Sequence, residues 1–310
     1  VEEALVAEML ARRFVRVALL GLTNSGKSTL CNALVNEEVT IATPKRHTTR
    51  TRVRAVFTEG ETQVILEDTP GVLELDRESR RERAKTPGAF KAMKAATPDA
   101  LSESSVHMLV IDASATDSRK RAEHTGRELD RLRTLAGRKE AARAILVLNK
   151  MDLTRRGARG GILARAVAQE CEVEPAAVFH TSALTGDGIP LLRQFLLDCA
   201  PEGEWEFEDP AQKTDLTLGE RALELLRAEV HATLHRRLPY AVQQENVAWA
   251  EDVQTQAIVL KADLSMPSDN ELRILRSALG SIHRGVVPKL NDLFDRPVRL
   301  ELHARRRRRH

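Results

Sequence analysis

No apolar run in this 310-residue chain approaches the roughly 20 residues that a bilayer-spanning helix needs, so stable membrane insertion is not expected. Cysteine is scarce: Cys31, Cys171 and Cys199 are the complete set. An odd, sparse set argues against a disulfide framework and for a reducing compartment. None of the three pairs with another Cys or His at metal-site spacing, which leaves them as core or surface thiols. No internal repeat is visible. Net charge is also slight, at +3. That average hides a cluster at the end, where Arg305, Arg306, Arg307, Arg308 and Arg309 form a basic tail that fits an RNA partner or a simply solvated end. Hydrophobic residues make up 42% and charged residues 30% of the chain, the composition of a globular protein, and the length suggests two domains.

Residues Arg12 to Cys199 read as alternating strands and helices. Val15 to Leu20, Val64 to Glu67, Val106 to Ile111 and Ala144 to Leu148 are short apolar runs that end in polar or Gly-rich residues, and Val178 to Thr181 is a shorter one. Such runs suit strands buried on both faces of a parallel sheet, with room between them for crossover helices. This is the pattern of a doubly wound α/β domain. From about Glu202 to Leu216 the chain becomes acidic and Pro-containing and reads as a linker. Leu223, Leu226, Val230 and Leu234 then recur at helical spacing, and Ala257 to Leu260 is a strand candidate. A helix is expected from Asn270 to Phe294, broken near Gly285 or Pro288, and Val298 to Leu302 alternates as a half-buried strand does. The second domain is therefore expected to be small and α+β.

Gly21-Leu22-Thr23-Asn24-Ser25-Gly26-Lys27-Ser28 fits G-x-x-x-x-G-K-[ST]. It lies directly after a predicted strand and before the helical run that opens at Thr29. The glycines allow backbone N–H groups from Thr23 to Thr29 to wrap phosphates, assisted by the helix N-terminus. Lys27 would reach the β- and γ-phosphates, and the Ser28 hydroxyl would ligate Mg²⁺. Asp68-Thr69-Pro70-Gly71 ends another strand, where Asp68 can hold Mg²⁺ through water and the Gly71 N–H can approach the γ-phosphate. Asn149-Lys150-Met151-Asp152 ends a third. Asp152 can accept from guanine N1–H and its 2-amino group, a donor pair that adenine lacks. Asn149 would fix the base and tie loops together, and the Lys150 stem would lie over the purine. Ser182-Ala183-Leu184 follows the last strand, where the Ala183 N–H would reach guanine O6. Between the first two elements, Thr49, or in second place Thr48, can close over Mg²⁺ and the γ-phosphate. Four ordered elements at strand C-terminal ends are specific for a GTPase, and open α/β sheets bind ligands at that edge. The fold class expected is therefore a P-loop GTPase domain with a mostly parallel sheet, followed by a smaller α+β domain.

With these elements the chain resembles the Era GTPases of the TrmE–Era–EngA group. The resemblance is carried by Gly21 to Ser28, by Lys45-Arg46-His47-Thr48-Thr49-Arg50 and by the three later motifs. In the second domain it is carried by Leu238-Pro239-Tyr240-Ala241-Val242 and by Phe294 to Leu302. It implies an N-terminal extension at 1–13, an Era-type GTPase domain at 14–201 and a linker at 202–217. A KH-like RNA-binding domain at 218–304 and a basic tail at 305–310 complete it. It also implies GTP and GDP as ligands, Mg²⁺, and a GTP-controlled assembly factor of the small ribosomal subunit that holds its RNA near the 3′ end. Ribosomal proteins or assembly factors are further expected partners, with the free protein a monomer. Slow intrinsic hydrolysis without a catalytic glutamine is implied as well. Val72 follows Gly71, and an apolar side chain cannot orient the attacking water by hydrogen bonding. Asn24 matches the family's potassium-coordinating asparagine, so K⁺ would supply charge beside the phosphates.

One departure stands out. KH domains clamp nucleic acid with a G-x-x-G loop between two helices. Aligned back from Pro297-Val298, that loop falls on Arg273-Ile274-Leu275-Arg276, which has no glycine. Arg273 and Arg276 would then contact phosphates by charge, with Arg305, Arg306 and Arg307 as further RNA contacts. Alternatively, the four residues are simply helix. The missing glycines also admit a second function: a GTPase-fold docking module that binds ribosomal proteins or assembly factors with little KH-type recognition. The first residue, Val1, and the divergent loop lead to an expectation of the mitochondrial matrix, with the bacterial cytoplasm as the alternative.

Overall fold

The computed structural model describes residues 11–21, 24–40, 53–68, 103–114, 143–154, 176–235, 238–252 and 255–307. They divide into two compact units, Val1–Asp215 and Leu216–His310.

The first unit is built on six strands: β1 (Arg13–Leu20), β2 (Val53–Glu59), β3 (Thr62–Asp68), β4 (Val106–Asp112), β5 (Arg143–Asn149) and β6 (Ala177–His180), in the order β2-β3-β1-β4-β5-β6. All neighbours run parallel except β2 and β3, which form an antiparallel hairpin. The hairpin turns at Gly60, whose φ of 55° is left-handed. Sequence reasoning did not anticipate β2. Its signal is the alternation of Val53, Ala55 and Phe57, all buried, ahead of Glu59-Gly60-Glu61. Val17, Leu19, Val64, Leu66, Met108 and Val147 face helices α1 (Lys27–Val35) and α2 (Ile189–Asp198), which contribute Leu30, Leu34, Leu192 and Leu196. Burial on both faces explains why the strands read as continuous apolar runs. Because β1 lies between β3 and β4, the chain leaves it in two directions, which opens a crevice at the C-terminal edge.

The segment expected to be a linker is instead packed on this sheet over most of its length. Its acids have partners that were not evident in the sequence. Glu206 accepts from Arg16 at 2.7 Å and from Arg54, and Asp215 accepts from Arg54 Nε at 2.8 Å. The Gln63 carboxamide bonds the backbone of Glu206 and Phe207 at 2.8–3.1 Å, and Trp205 Nε1 donates to Glu61 O at 3.0 Å. Thr214 then bridges Ala55 on the edge strand. The acidic run is thus a counter-charge for two arginines on the sheet.

The second unit has three strands: β7 (Gln243–Glu251), β8 (Ile258–Met266) and β9 (Val298–Arg306). β7 is antiparallel and β9 parallel to β8. Helices α3 (Leu218–Thr233), α4 (Leu238–Ala241) and α5 (Asp269–Phe294) accompany them. The core joins Ala222, Leu226 and Val230 of α3 with Ile282, Val286 and Leu290 of α5 and with Leu260, Leu264 and Met266 of β8. α5 runs unbroken through both expected break points. Pro288 removes one N–H donor, but Val286 and Leu290 on either side are fully buried and hold the helix down. Gly285 makes room for the Glu229 carboxylate of α3, since a Cβ there would lie 2.2 Å from Glu229 Oε1. Arg273 to Arg276 is part of the same helix, with Leu272 and Leu275 buried and both arginines exposed, so no loop interrupts the chain there.

The basic tail is likewise revised. β9 extends to Arg306. Arg305 pairs with Glu245 at 2.5 Å and with Asp263 at 3.4 Å, Arg306 with Asp269 at 2.9 Å, and Arg307 donates to Ala241 O at 2.6 Å. The Ser265 hydroxyl, helped by Arg305, holds the Glu245 carboxyl below its ordinary range. Arg308 and Arg309 lie outside the described residues. No helix among the described residues is long and apolar enough to cross a membrane.

Thr217 starts α3 with a capping box: its side chain accepts from Glu220 N while Glu220 accepts from Thr217 N at 2.8 Å. Thr217→Ala is expected to destabilise the second unit by about 1 kcal/mol, measured by urea unfolding with a probe in that unit. An unchanged midpoint would mean that the cap contributes nothing.

Candidate nucleotide site

Every described motif residue of the first unit falls at the C-terminal edge of the sheet. The loop after β1 is shaped by two glycines that admit no side chain. Gly21 has φ 145°, and a Cβ there would sit 2.3 Å from the Val110 carbonyl. Gly26 has φ 96°, and a Cβ there would sit 2.3 Å from Asn149 Nδ2. Asn24 is also left-handed, at φ 62°. α1 opens at Lys27 with no side-chain cap and no acid in its first turn, so the positive end of its dipole faces the loop and favours an anion. Ser25 and Lys27 are buried; Lys27 Nζ donates to Gly21 O at 3.0 Å, which folds the ammonium back into the loop.

Ser28 and Asp68 come together here. Ser28 Oγ donates to Asp68 Oδ2 at 2.6 Å, and Asp68 is completely buried. A hydroxyl and a carboxylate side by side form a hard-oxygen pair suited to Mg²⁺. On the same helix, the Cys31 thiol is raised well above its usual range by burial and secondarily by the charge of Asp68. It stays protonated, consistent with a core thiol.

Asn149 joins three loops from the end of β5. Its Nδ2 donates to Ser25 O at 3.1 Å, while its Oδ1 accepts from Ala183 N at 3.0 Å and Thr181 Oγ1 at 3.3 Å. The Ala183 amide, expected to reach guanine O6, therefore points at Asn149. Lys150 is left-handed at φ 63°, and its Nζ donates to Asn24 O at 2.5 Å and to Asp112 Oδ2 at 2.8 Å. Exposed Asp152 accepts from Ser182 Oγ at 2.6 Å, which orients its carboxylate. Ser182 is buried, Leu184 is 80% exposed, and Thr29 lies within α1. Thr23, Thr48, Thr49, Gly71, Val72 and Cys171 lie outside the described residues.

Two residues of the site were missed. Asp112 anchors Lys150 and also accepts from Ser114 N at 2.9 Å and Ser114 Oγ at 2.5 Å. Its signal was available, since it is an acid at the end of a strand, as Asp68 is. Thr181, fully buried against Asn149, carried none.

The family model described as "50S ribosome-binding GTPase" matches residues 16–150. GTPase Era of Maricaulis maris is 41% identical over 241 residues, covering 75% of this chain and 71% of the relative. GTPase Era of Rhizobium meliloti is 31% identical over 291 residues, covering 92% and 85%. Among solved structures, Era in complex with MgGDPNP and nucleotides 1506-1542 of 16S ribosomal RNA superposes with a TM-score of 0.82. It has 25% identity and covers 96% of this chain and 94% of that one. A point-substituted Era of Aquifex aeolicus bound to GDP.AlF4- superposes with a TM-score of 0.80, at 26% identity and 95% and 94% coverage.

Asn149→Ala would leave Ser25 O and Ala183 N without this partner, at about 1–3 kcal/mol for each buried group left unsatisfied. GDP affinity is expected to fall roughly tenfold or more in a fluorescent-nucleotide titration. A change of less than about twofold would show that the hub does not organise the site.

Proposed function

The chain belongs to the GTPase Era family, and from that premise we propose that it is a GTP-hydrolysing switch working as an assembly factor of the small ribosomal subunit. It binds GTP and GDP with Mg²⁺, and its RNA target lies near the 3′ end of the small-subunit RNA. The observation that supports the reading is the junction at Asn149, which brings a phosphate loop, an Asn-Lys-x-Asp motif and Ser182-Ala183 together at one edge of the sheet. The RNA target follows from the relative bound to 16S ribosomal RNA.

We assign the roles as follows. Thr23 to Thr29 cradle the phosphates through backbone N–H groups, and Lys27 neutralises charge at the β- and γ-phosphates. Ser28 and Asp68 hold Mg²⁺, and Thr49 is a further ligand. Bound there, Mg²⁺ would supply charge stabilisation for phosphoryl transfer. Gly71 approaches the γ-phosphate through its N–H. Asp152 selects guanine, Lys150 covers its face, and Asn149 fixes the loops that hold it. Asn24 holds K⁺. Val72 offers no hydrogen bond to water, so unassisted hydrolysis is slow. The GTP state docks on the small subunit, and hydrolysis releases it.

Ribosomal proteins or assembly factors complete the partner set, and the free protein is a monomer. The relatives named above are bacterial, which favours the bacterial cytoplasm over the mitochondrial matrix. The docking-module reading keeps one observation in its favour, the unbroken α5 where a G-x-x-G loop would lie.

Asp152→Asn is expected to lose most GTP affinity and to gain xanthosine triphosphate, because the amide offers a donor where guanine N1–H needs an acceptor. Calorimetry with both nucleotides checks this, and undiminished GTP preference would remove the base-selecting role. Chelation of Mg²⁺ by EDTA should abolish hydrolysis measured by phosphate release. Turnover persisting in EDTA would contradict the Ser28 and Asp68 assignment.

A further inference from the structure

Between Leu272 and Asn291, α5 carries Arg273, Arg276, His283, Arg284 and Lys289 and not one acid. Its buried residues, Leu272, Leu275, Ile282, Val286 and Leu290, fix which side faces the core. On the opposite side Arg273, Ser277, Gly280 and Arg284 follow one another at helical spacing, all exposed, with exposed Arg276 and His283 beside them. From Arg273 to Arg284 this row runs about 16 Å along the axis.

Charge pairing sets these arginines apart. Elsewhere in the second unit Arg227, Lys261, Arg296, Arg299, Arg305 and Arg306 pair with carboxylates at 2.5–3.3 Å. Among the described residues, Arg273, Arg276 and Arg284 have no carboxylate partner. The row is also low in profile between its arginines. A Cβ at Gly280 would meet only Arg284 Nη1, at an ordinary 3.7 Å, and Arg284 Nη2 donates to Ser281 Oγ at 3.2 Å. The Arg284 fork thus lies back along the helix over small residues, leaving a shallow strip between cationic posts. Guanidinium forks on such a strip match the oxygens of successive phosphates.

We propose that this outward face of α5 is a contact surface for the sugar–phosphate backbone of RNA, replacing a glycine-lined backbone clamp by charge along a helix. The inference rests on the reading that the chain binds ribosomal RNA and specifies which surface of the second unit grips it and how. Phosphate contacts made this way position a strand without reading its bases.

The test measures RNA binding by the full-length chain and by its Arg273→Gln/Arg276→Gln/Arg284→Gln variant. Two RNAs of equal length are used, one from the 3′ end of small-subunit RNA and one scrambled, in about 50 to 200 mM salt. The variant should lose about tenfold or more in affinity, by the same factor for both RNAs. The slope of log affinity against log salt should flatten by about 2 to 3. The corresponding triple Arg→Lys variant should keep most of the slope. GDP binding, which belongs to the first unit, should not change and reports that the variant is folded. Wild-type RNA binding matched by the Gln variant, at unchanged slope, would overturn this proposal alone and leave the face to an acidic protein. A loss confined to the 3′-end RNA would also overturn it, since the arginines would then read sequence. Absence of RNA binding by the wild type would overturn the ribosomal reading as well.

Discussion

A single carboxamide holds the first unit's functional edge in place. Asn149 is essentially inaccessible to solvent, and its amide nitrogen and oxygen tie its own loop to two others, at Ser25 and at Thr181 and Ala183. A buried amide left without partners costs about 1–3 kcal/mol, so the arrangement in which all its bonds form excludes its neighbours. Gly26 shows how tightly this works, because Asn149 Nδ2 occupies the space where any larger residue would place its Cβ. The phosphate loop can approach β5 only because that position is glycine. The base-recognition loops and the phosphate loop are thereby set relative to one another before a ligand arrives, which is preorganisation in its physical sense.

Electrostatic pairing does comparable work away from the site. The acidic segment that follows α2 is held on the sheet by Arg16, Arg54 and Gln63, and Arg54 lies one residue beyond Val53, which is in register with Asp68. In the second unit the arginines of β9 are matched by Glu245, Asp263 and Asp269. Against this matched background Arg273, Arg276 and Arg284 of α5, which have no carboxylate partner among the described residues, are conspicuous, and a surface that leaves like charges side by side favours a polyanionic partner.

Much of this was legible in the sequence where local chemistry dictates the outcome. The buried parallel strands read as apolar runs, and the nucleotide motifs sit where glycine, hydroxyl and carboxylate chemistry needs them. Ser28 and Asp68 could be named as magnesium ligands, and Asn149 as a tie between loops, because each motif has one mechanical use; the partners of Asn149 could not, and the Ala183 amide that was expected on guanine O6 is one of them. Long-range pairing was not legible. The Glu202 to Asp215 segment looked like a linker because its partners, Arg16, Arg54 and Gln63, lie 144 to 190 residues earlier. The arginines at 305–307 looked like a free tail because nothing local reveals Glu245 or Asp269. Helix α5 was expected to break at Gly285 or Pro288 because propensity alone favours that, and tertiary burial overrode it. Asp112 was missed although its position at a strand end was the same signal that identified Asp68.

The most direct test of the account is a calorimetric titration of the purified chain with GDP and, separately, with ADP, each with Mg²⁺. The structure predicts saturable 1:1 binding of GDP and binding of ADP weaker by about a hundredfold or more, as loss of a buried hydrogen-bonded donor pair entails. Equal affinity for the two nucleotides, or no heat with either from folded protein, would contradict it.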